Sequence, residues 1–207
     1  MEPTYLIGIH PPASVEAKIR AFQAEVVKNC GPVLGTTTEP HITLNLNRFP
    51  DSDLLDKTLA NLCKTFPPVE ITVDGLSTFP KTGPATVVFG YIKPNPLLSA
   101  IQERMAQVLA PLREGEHLRE FLTTLGYTFT RAQVKTSEKY GYAYIGKGWQ
   151  PHMTVAFLND AQFENVGKKL LQKPLSARFV AREITLFSYN DAKQNWQPFR
   201  VYPLQAQ

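Results

Sequence analysis

The sequence predicts an α+β fold, a bilobal and duplicated arrangement of two small, mainly antiparallel sheets flanked by helices around a central cleft. Three observations carry this. Strand patterns alternate with helical ones along the 207 residues. One five-residue pattern occurs twice, as Pro40-His41-Ile42-Thr43-Leu44 and Pro151-His152-Met153-Thr154-Val155. The elements around the two copies also follow one order of helix, motif strand, helix and strand, which predicts a single domain over 1–207 with pseudo-repeats at about 10–92 and 93–204.

Taken in order, Tyr5 to Ile9 reads as a first strand, stopped by Pro11-Pro12. Val15, Ile19, Phe22 and Val26 recur at the three-to-four spacing of one helix face, giving a helix over 14–28. A Gly/Thr turn at 31–38 leads into a motif strand at 41–46. Asp51 is suited to cap the next helix, 51–65, whose Leu55, Leu59, Leu62 and Phe66 form its apolar side. Pro67-Pro68 ends it, and Val69, Ile71 and Val73 alternate as a half-buried strand. Pro80-Lys81-Thr82-Gly83-Pro84 is a turn before a strand at 86–92.

The second copy opens with a helix over 96–112, patterned by Leu98, Ile101, Met105, Val108 and Leu112. Residues 113–150 have no counterpart in the first copy and read as an insertion. In it, Glu116 to Leu125 is a short helix, and Tyr127–Lys135 with Tyr140–Lys147 is a hairpin turning near Ser137-Glu138-Lys139. After the second motif come a helix over 160–171 capped by Asp160, a strand over 178–188 containing Glu183-Ile184-Thr185-Leu186, and a last strand from Trp196 to Leu204.

The motifs carry the chemistry. Side chains alternate faces along a strand, so His41 and Thr43 share one face and Ile42 and Leu44 the other. The same division holds for His152 and Thr154 against Met153 and Val155. Two imidazoles and two hydroxyls meeting in one cleft supply two proton-transfer groups and two hydrogen-bond donors, an inventory suited to a phosphodiester. His10 and His117 read as ordinary residues, and Lys81 and Lys147 as turn lysines rather than phosphate contacts. The insertion's Tyr142 and Tyr144 alternate with Tyr140, so in a hairpin strand these rings share a face. With Tyr5 and Trp149 they are candidate substrate-binding aromatics, able to stack a base. That hairpin is then a wall or lid of the cleft, or an edge packed on the domain.

Composition narrows the class. The chain is 43% hydrophobic and 19% charged, as expected of a globular protein, and no apolar run approaches a membrane span. Met1-Glu2-Pro3-Thr4-Tyr5 shows no secretory leader. Cys30 and Cys63 lack metal-ligand spacing and read as reduced thiols, so a cytoplasmic location is expected. A formal net charge of +4 without a Lys/Arg block suits a small phosphorylated ligand or an RNA end better than a long duplex. No glycine-rich phosphate loop and no zinc spacing is present, so neither cofactor nor metal is expected, and the protein is expected to be a monomer.

The paired Pro-His-apolar-Thr-apolar segments, the internal duplication and the strand-rich tail resemble the two-histidine (2H) phosphoesterase superfamily, which includes 2′-5′ RNA ligase-like proteins and cyclic nucleotide phosphodiesterases. The resemblance covers nearly the whole chain in element order, with 113–150 unmatched. It implies a bilobal fold whose two His-x-Thr strands line one cleft, and catalysis without a bound metal by His41, Thr43, His152 and Thr154. It also implies hydrolysis of a 2′,3′-cyclic phosphate or a 2′-linked nucleotide or RNA end. Cleavage of a signalling 2′-5′ oligoadenylate or cyclic dinucleotide, reversible 2′-5′ ligation, and nucleotide binding without turnover are the alternatives. Which histidine is base and which is acid stays open.

Overall fold

Eight strands run in the order β6-β3-β4-β5-β2-β1-β7-β8, every neighbouring pair antiparallel, in a computed structural model that describes residues 4–190 and 195–205. The strands are β1 (Thr4–Ile9), β2 (Ile42–Arg48), β3 (Val69–Thr78), β4 (Thr86–Ile92), β5 (His152–Leu158), β6 (Ser176–Ala181), β7 (Glu183–Asn190) and β8 (Asn195–Pro203). The α+β class is as expected. Two four-stranded antiparallel halves, β6-β3-β4-β5 and β2-β1-β7-β8, are joined into one sheet through a single registered pair, Ile42 with Met153. The join therefore falls at the centre of both motifs.

The helices follow from local signals. Helix α1 (Ala13–Cys30) starts where Pro12 presents its carbonyl to the N–H groups of Val15 and Glu16, and ends at Gly31, whose φ of 73° suits only glycine readily. Its Val15, Ile19 and Val26 are buried. Asp51 caps α2 (Ser52–Cys63) by accepting from the Leu54 N–H at 2.9 Å, and Asn95 caps α3 (Pro96–Leu109) through Leu97 and Leu98. A tighter 3-10 turn finishes α3 over 110–112. Helix α1 packs against β5 and α3 against β2, so each motif strand has a helix behind it. Ile42, Leu44, Met153 and Val155 are all fully buried, the apolar anchors the alternation requires.

Three expectations are corrected. The insertion forms two helices, α4 (His117–Thr124) and α5 (Arg131–Tyr140), and the hairpin expected at 127–147 does not form. Thr130 and Gln133 make a capping box at the start of α5, and Gly141 closes it in the left-handed conformation, φ 72°. The strand expected over 178–188 is two strands on opposite halves of the sheet: β6 pairs with β3, β7 with β1. The inward phase slips at the exposed pair Arg182-Glu183, from Ala177, Phe179 and Ala181 to Ile184 and Leu186. The helix after the second motif is capped by Asn159, one residue before the expected Asp160, and passes from α6 (Asp160–Gln162) through a π-turn at 163–167 into α7 (Lys168–Leu171).

Among the described residues no helix is long and apolar enough to cross a membrane. Cys30 and Cys63 are both free thiols.

Candidate active site

Each motif strand carries a β-bulge directly after its threonine. In β2, Thr43 pairs with Gly8 and Asn45 with Ile7, leaving Leu44 extra. In β5, Thr154 pairs with Phe89 and Ala156 with Val88, leaving Val155 extra. The fifth residue of the motif is thus the inserted residue both times. A bulge bends its strand and ends regular pairing, so it lets the strands part just beyond the motif. At Gly8 the β2 backbone comes close to β1: a Cβ there would lie 2.6 Å from the Ile42 carbonyl oxygen.

The Ile42–Met153 pair sets the motif side chains against each other. In an antiparallel register, residues equidistant on opposite sides of a pair are neighbours, so His41 lies across from Thr154 and Thr43 across from His152. All four are half-buried while the residues between them are fully buried. Among the described residues neither threonine hydroxyl is taken up by a hydrogen bond.

The motif prolines have a role beyond ending a turn. Nδ1 of His41 is 2.6 Å from the carbonyl oxygen of Glu39, and Nδ1 of His152 is 2.9 Å from that of Gln150. Each acceptor residue precedes the motif proline, which restricts it to an extended backbone and so directs its carbonyl. A carbonyl can only accept, so Nδ1 carries the proton in both rings and Nε2 is left with its lone pair. Burial lowers the pKa of His41 to about 4; the Glu39 bond pulls the other way, and the neighbouring charges of His152 and His10 add to the lowering. Burial also lowers His152, against its bond to Gln150. Burial thus disfavours the imidazolium form of both rings, and an anion in the cleft would favour it again.

Aromatic rings that periodicity did not mark fix both imidazoles. His41 packs on Phe187 at 5.3 Å between ring centres; His152 packs on Phe79 at 4.8 Å and Phe89 at 5.2 Å. His10, read as ordinary, lies 6.1 Å from the same Phe187 and 3.5 Å from Glu16. Two buried glutamines were also missed, though a polar residue on an apolar helix face was the available signal. Gln23 of α1 donates to the carbonyls of Gly35 and Thr38, and Gln102 of α3 to those of Leu44 and Tyr144.

The expected base-stacking aromatics are placed otherwise. Tyr5, Tyr142 and Trp149 are 8%, 3% and 8% exposed, so none offers a ring face to a base. Tyr5 packs toward Phe199, and Trp149 donates its indole N–H to the Thr43 carbonyl. Tyr144 is half-buried against Tyr142 and Phe129. Because Tyr140 ends a helix, Tyr140, Tyr142 and Tyr144 do not share a strand face. Lys81 is bound to Asp160 at 2.5 Å, and Lys147 is exposed. His117 starts α4, where burial and the charge of Arg48 lower its pKa.

Among the described residues, one group could bring three metal-ligating atoms within 4.8 Å of one another: His10, Glu16 and Glu39. Arg20 is salt-bridged to both carboxylates, so a cation there would have to displace a guanidinium. A cavity of about 250 Å³ lies between α1 and Pro174–Ser176 and includes no motif residue.

A family model described as the 2′-5′ RNA ligase superfamily matches residues 11–193. Among solved structures, the TT0787 protein of Thermus thermophilus is 17% identical, with a TM-score of 0.59 over 97% of each chain. E. coli LigT in its apo form is 18% identical, with a TM-score of 0.56 over the whole of both chains. E. coli LigT complexed with 3′-AMP gives 16% and 0.55, again over both whole chains. At these identities the likeness is one of fold. No curated protein matches the sequence.

Proposed function

The chain belongs to the 2′-5′ RNA ligase superfamily, and from that premise we propose that it is a metal-independent phosphodiesterase acting on a 2′,3′-cyclic phosphate or a 2′-linked nucleotide or RNA end. The observation that carries this reading is the crossed pairing of the motifs, His41 opposite Thr154 and Thr43 opposite His152, with both Nδ1 atoms tied back to main-chain carbonyls. Two Nε2 atoms then face one phosphorus from opposite sides. One accepts a proton from the attacking water while the other, protonated, delivers a proton to the departing ribose oxygen. The threonine hydroxyls donate to the non-bridging oxygens as charge builds there. In ligation the two histidines exchange roles.

A small nucleotide suits the site. E. coli LigT has been crystallised with 3′-AMP, with NADP+ and with phosphate, and two imidazoles with two hydroxyls call for a ligand of the same class.

The test is incubation of the purified protein, in EDTA, with 2′,3′-cyclic nucleotides, 2′-5′ oligoadenylates, cyclic dinucleotides and 2′-5′-linked RNA. We expect hydrolysis of a cyclic phosphate or a 2′ linkage, at a rate unchanged by chelation. Activity confined to cyclic dinucleotides would move the substrate class, and activity restored only by a divalent ion would remove the metal-free mechanism.

A further inference from the structure

The motif histidines are anchored alike and supported differently. Gln150, which holds His152, is neutral, and its amide goes to the main-chain oxygens of Ile92 and Pro151. Glu39, which holds His41, is charged and salt-bridged to Arg20 Nη2, while Arg20 Nε bonds Glu16 at 2.6 Å. One turn along α1, Gln23 holds the carbonyls of Gly35 at 3.0 Å and Thr38 at 3.2 Å. Glu16, Arg20 and Gln23 recur at helical spacing, so one stripe of α1 suspends the segment that ends in His41. Within that stripe, the Arg20–Glu39 pair alone acts on the residue whose carbonyl accepts the hydrogen bond from His41 Nδ1–H.

We propose that Arg20 and Glu39 form a positioning pair for His41, an inference that rests on the two-histidine reading above. The ion pair clamps the Glu39 side chain while Pro40 restricts its backbone, so the carbonyl has one direction and Nδ1–H is the favoured tautomer. Nε2 is thereby kept as the reactive nitrogen and aimed into the cleft. Without the pair, the 38–40 segment can turn, the ring can take the other tautomer, and Nε2 loses both lone pair and aim. Neither Arg20 nor Glu39 touches the substrate in this role. A displacement of about 1 Å in a catalytic group can cost on the order of 100-fold in rate, so the pair is placed to matter for turnover more than for binding.

The experiment compares wild type with Glu39→Ala, Arg20→Gln and the double variant, reading the ring-nitrogen NMR shifts of His41 together with kcat and KM on a hydrolysed member of the substrate panel. Wild-type His41 is expected as the Nδ1–H tautomer. In the variants the Nε2–H form should appear, and kcat should fall about 10- to 100-fold with KM nearly unchanged. The double variant should be no slower than the worse single one, because the two residues act as a unit. Thermal stability should change little, since a partly exposed ion pair contributes little to it. If Arg20→Gln does not fold, Arg20→Lys takes its place and should fall between wild type and Glu39→Ala. A folded Glu39→Ala protein with wild-type His41 shifts and wild-type kcat overturns the inference. If the wild type hydrolyses no panel member, the two-histidine reading fails, while the tautomer measurement still decides the pairing.

Discussion

Trp149 donates its indole N–H to the main-chain carbonyl of Thr43 at 3.2 Å, so the approach to the second motif is bonded to the first. The reverse tie exists as well. Gly35, on the approach to the first motif, packs so close to the second that a Cβ would lie 3.0 Å from Thr154 Cγ2, and Leu34 accepts from the Phe157 N–H at 2.9 Å. Two halves joined by a single strand pair are thus cross-braced by the loops that precede their motifs. That bracing ties the approach to each motif to the strand of the other.

Replacing Trp149 by Phe keeps most of the buried ring and deletes the hydrogen bond. The expected loss is about 0.5–1.5 kcal/mol of stability, read from urea unfolding, with kcat reduced and KM unchanged. Trp149→Ala should cost more, about 3–5 kcal/mol, because it also leaves a cavity. A Trp149→Phe protein with weakened substrate binding and wild-type stability would instead mark the ring as a ligand contact.

His41→Ala and His152→Ala should each lose about 10²–10⁴-fold in rate on the true substrate while remaining folded by circular dichroism. Thr43→Ala and Thr154→Ala remove one donor each, leave both proton-transfer groups in place, and should lose less. Near wild-type turnover by either histidine variant would rule out the paired mechanism.

The motifs, their faces and the helices around them were legible because each is a local pattern: alternation in the strands, three-to-four spacing in the helices, capping by Asp51. What failed was non-local or out of phase. The strand over 178–188 reads as continuous because strand formers, Phe179-Val180 and Ile184-Thr185, flank the break closely, and the break itself is marked only by two consecutive polar residues, Arg182 and Glu183. Tyr140, Tyr142 and Tyr144 imitate a strand, yet Thr130, Gln133 and Gly141 were the cap signals of the helix that forms there. The bulges at Leu44 and Val155 leave no local trace, since both residues are apolar where the motif alternation expects an apolar residue and only the pairing with the neighbouring strand reveals the insertion. The ion pair at Glu39 joins residues 19 apart and needs the tertiary fold to bring them together.

The histidine environment predicts a pH dependence with a definite sign. His41 has a folded pKa of about 4 against an ordinary 6.5, so the unfolded chain binds its proton more readily. Stability from this group is complete above the ordinary value and is lost as pH falls from about 6.5 toward 4; the lowered pKa of His152 works in the same direction. Urea midpoints measured from pH 7 to pH 4 should fall across that window, and the fall should shrink in His41→Ala. Inorganic phosphate should raise both titrations by stabilising the imidazolium, visible in histidine NMR. Midpoints that stay flat to pH 4 would contradict a His41 whose imidazolium form the fold disfavours.

The insertion reads as a brace behind the first motif strand rather than a lid. Arg113 bonds the Glu138 carbonyl, Gln102 ties the Tyr144 carbonyl to that of Leu44, and Arg48 pairs with Glu120 and accepts from the Glu114 N–H. Gly141 sits where a Cβ would be 2.2 Å from Arg113 Cδ and 2.5 Å from Asn47 Oδ1, and at φ 72° a side chain would be strained in any case. Gly141→Ala should therefore cost at least about 1–2 kcal/mol from the left-handed backbone alone. Replacing residues 128–146 by a short Gly/Ser linker removes Tyr142 and Ser137 from the core and should abolish cooperative unfolding, with activity lost alongside it. A truncated protein that melts cooperatively and merely binds substrate less tightly would restore the lid, and one with unchanged kinetics would make the segment a surface addition.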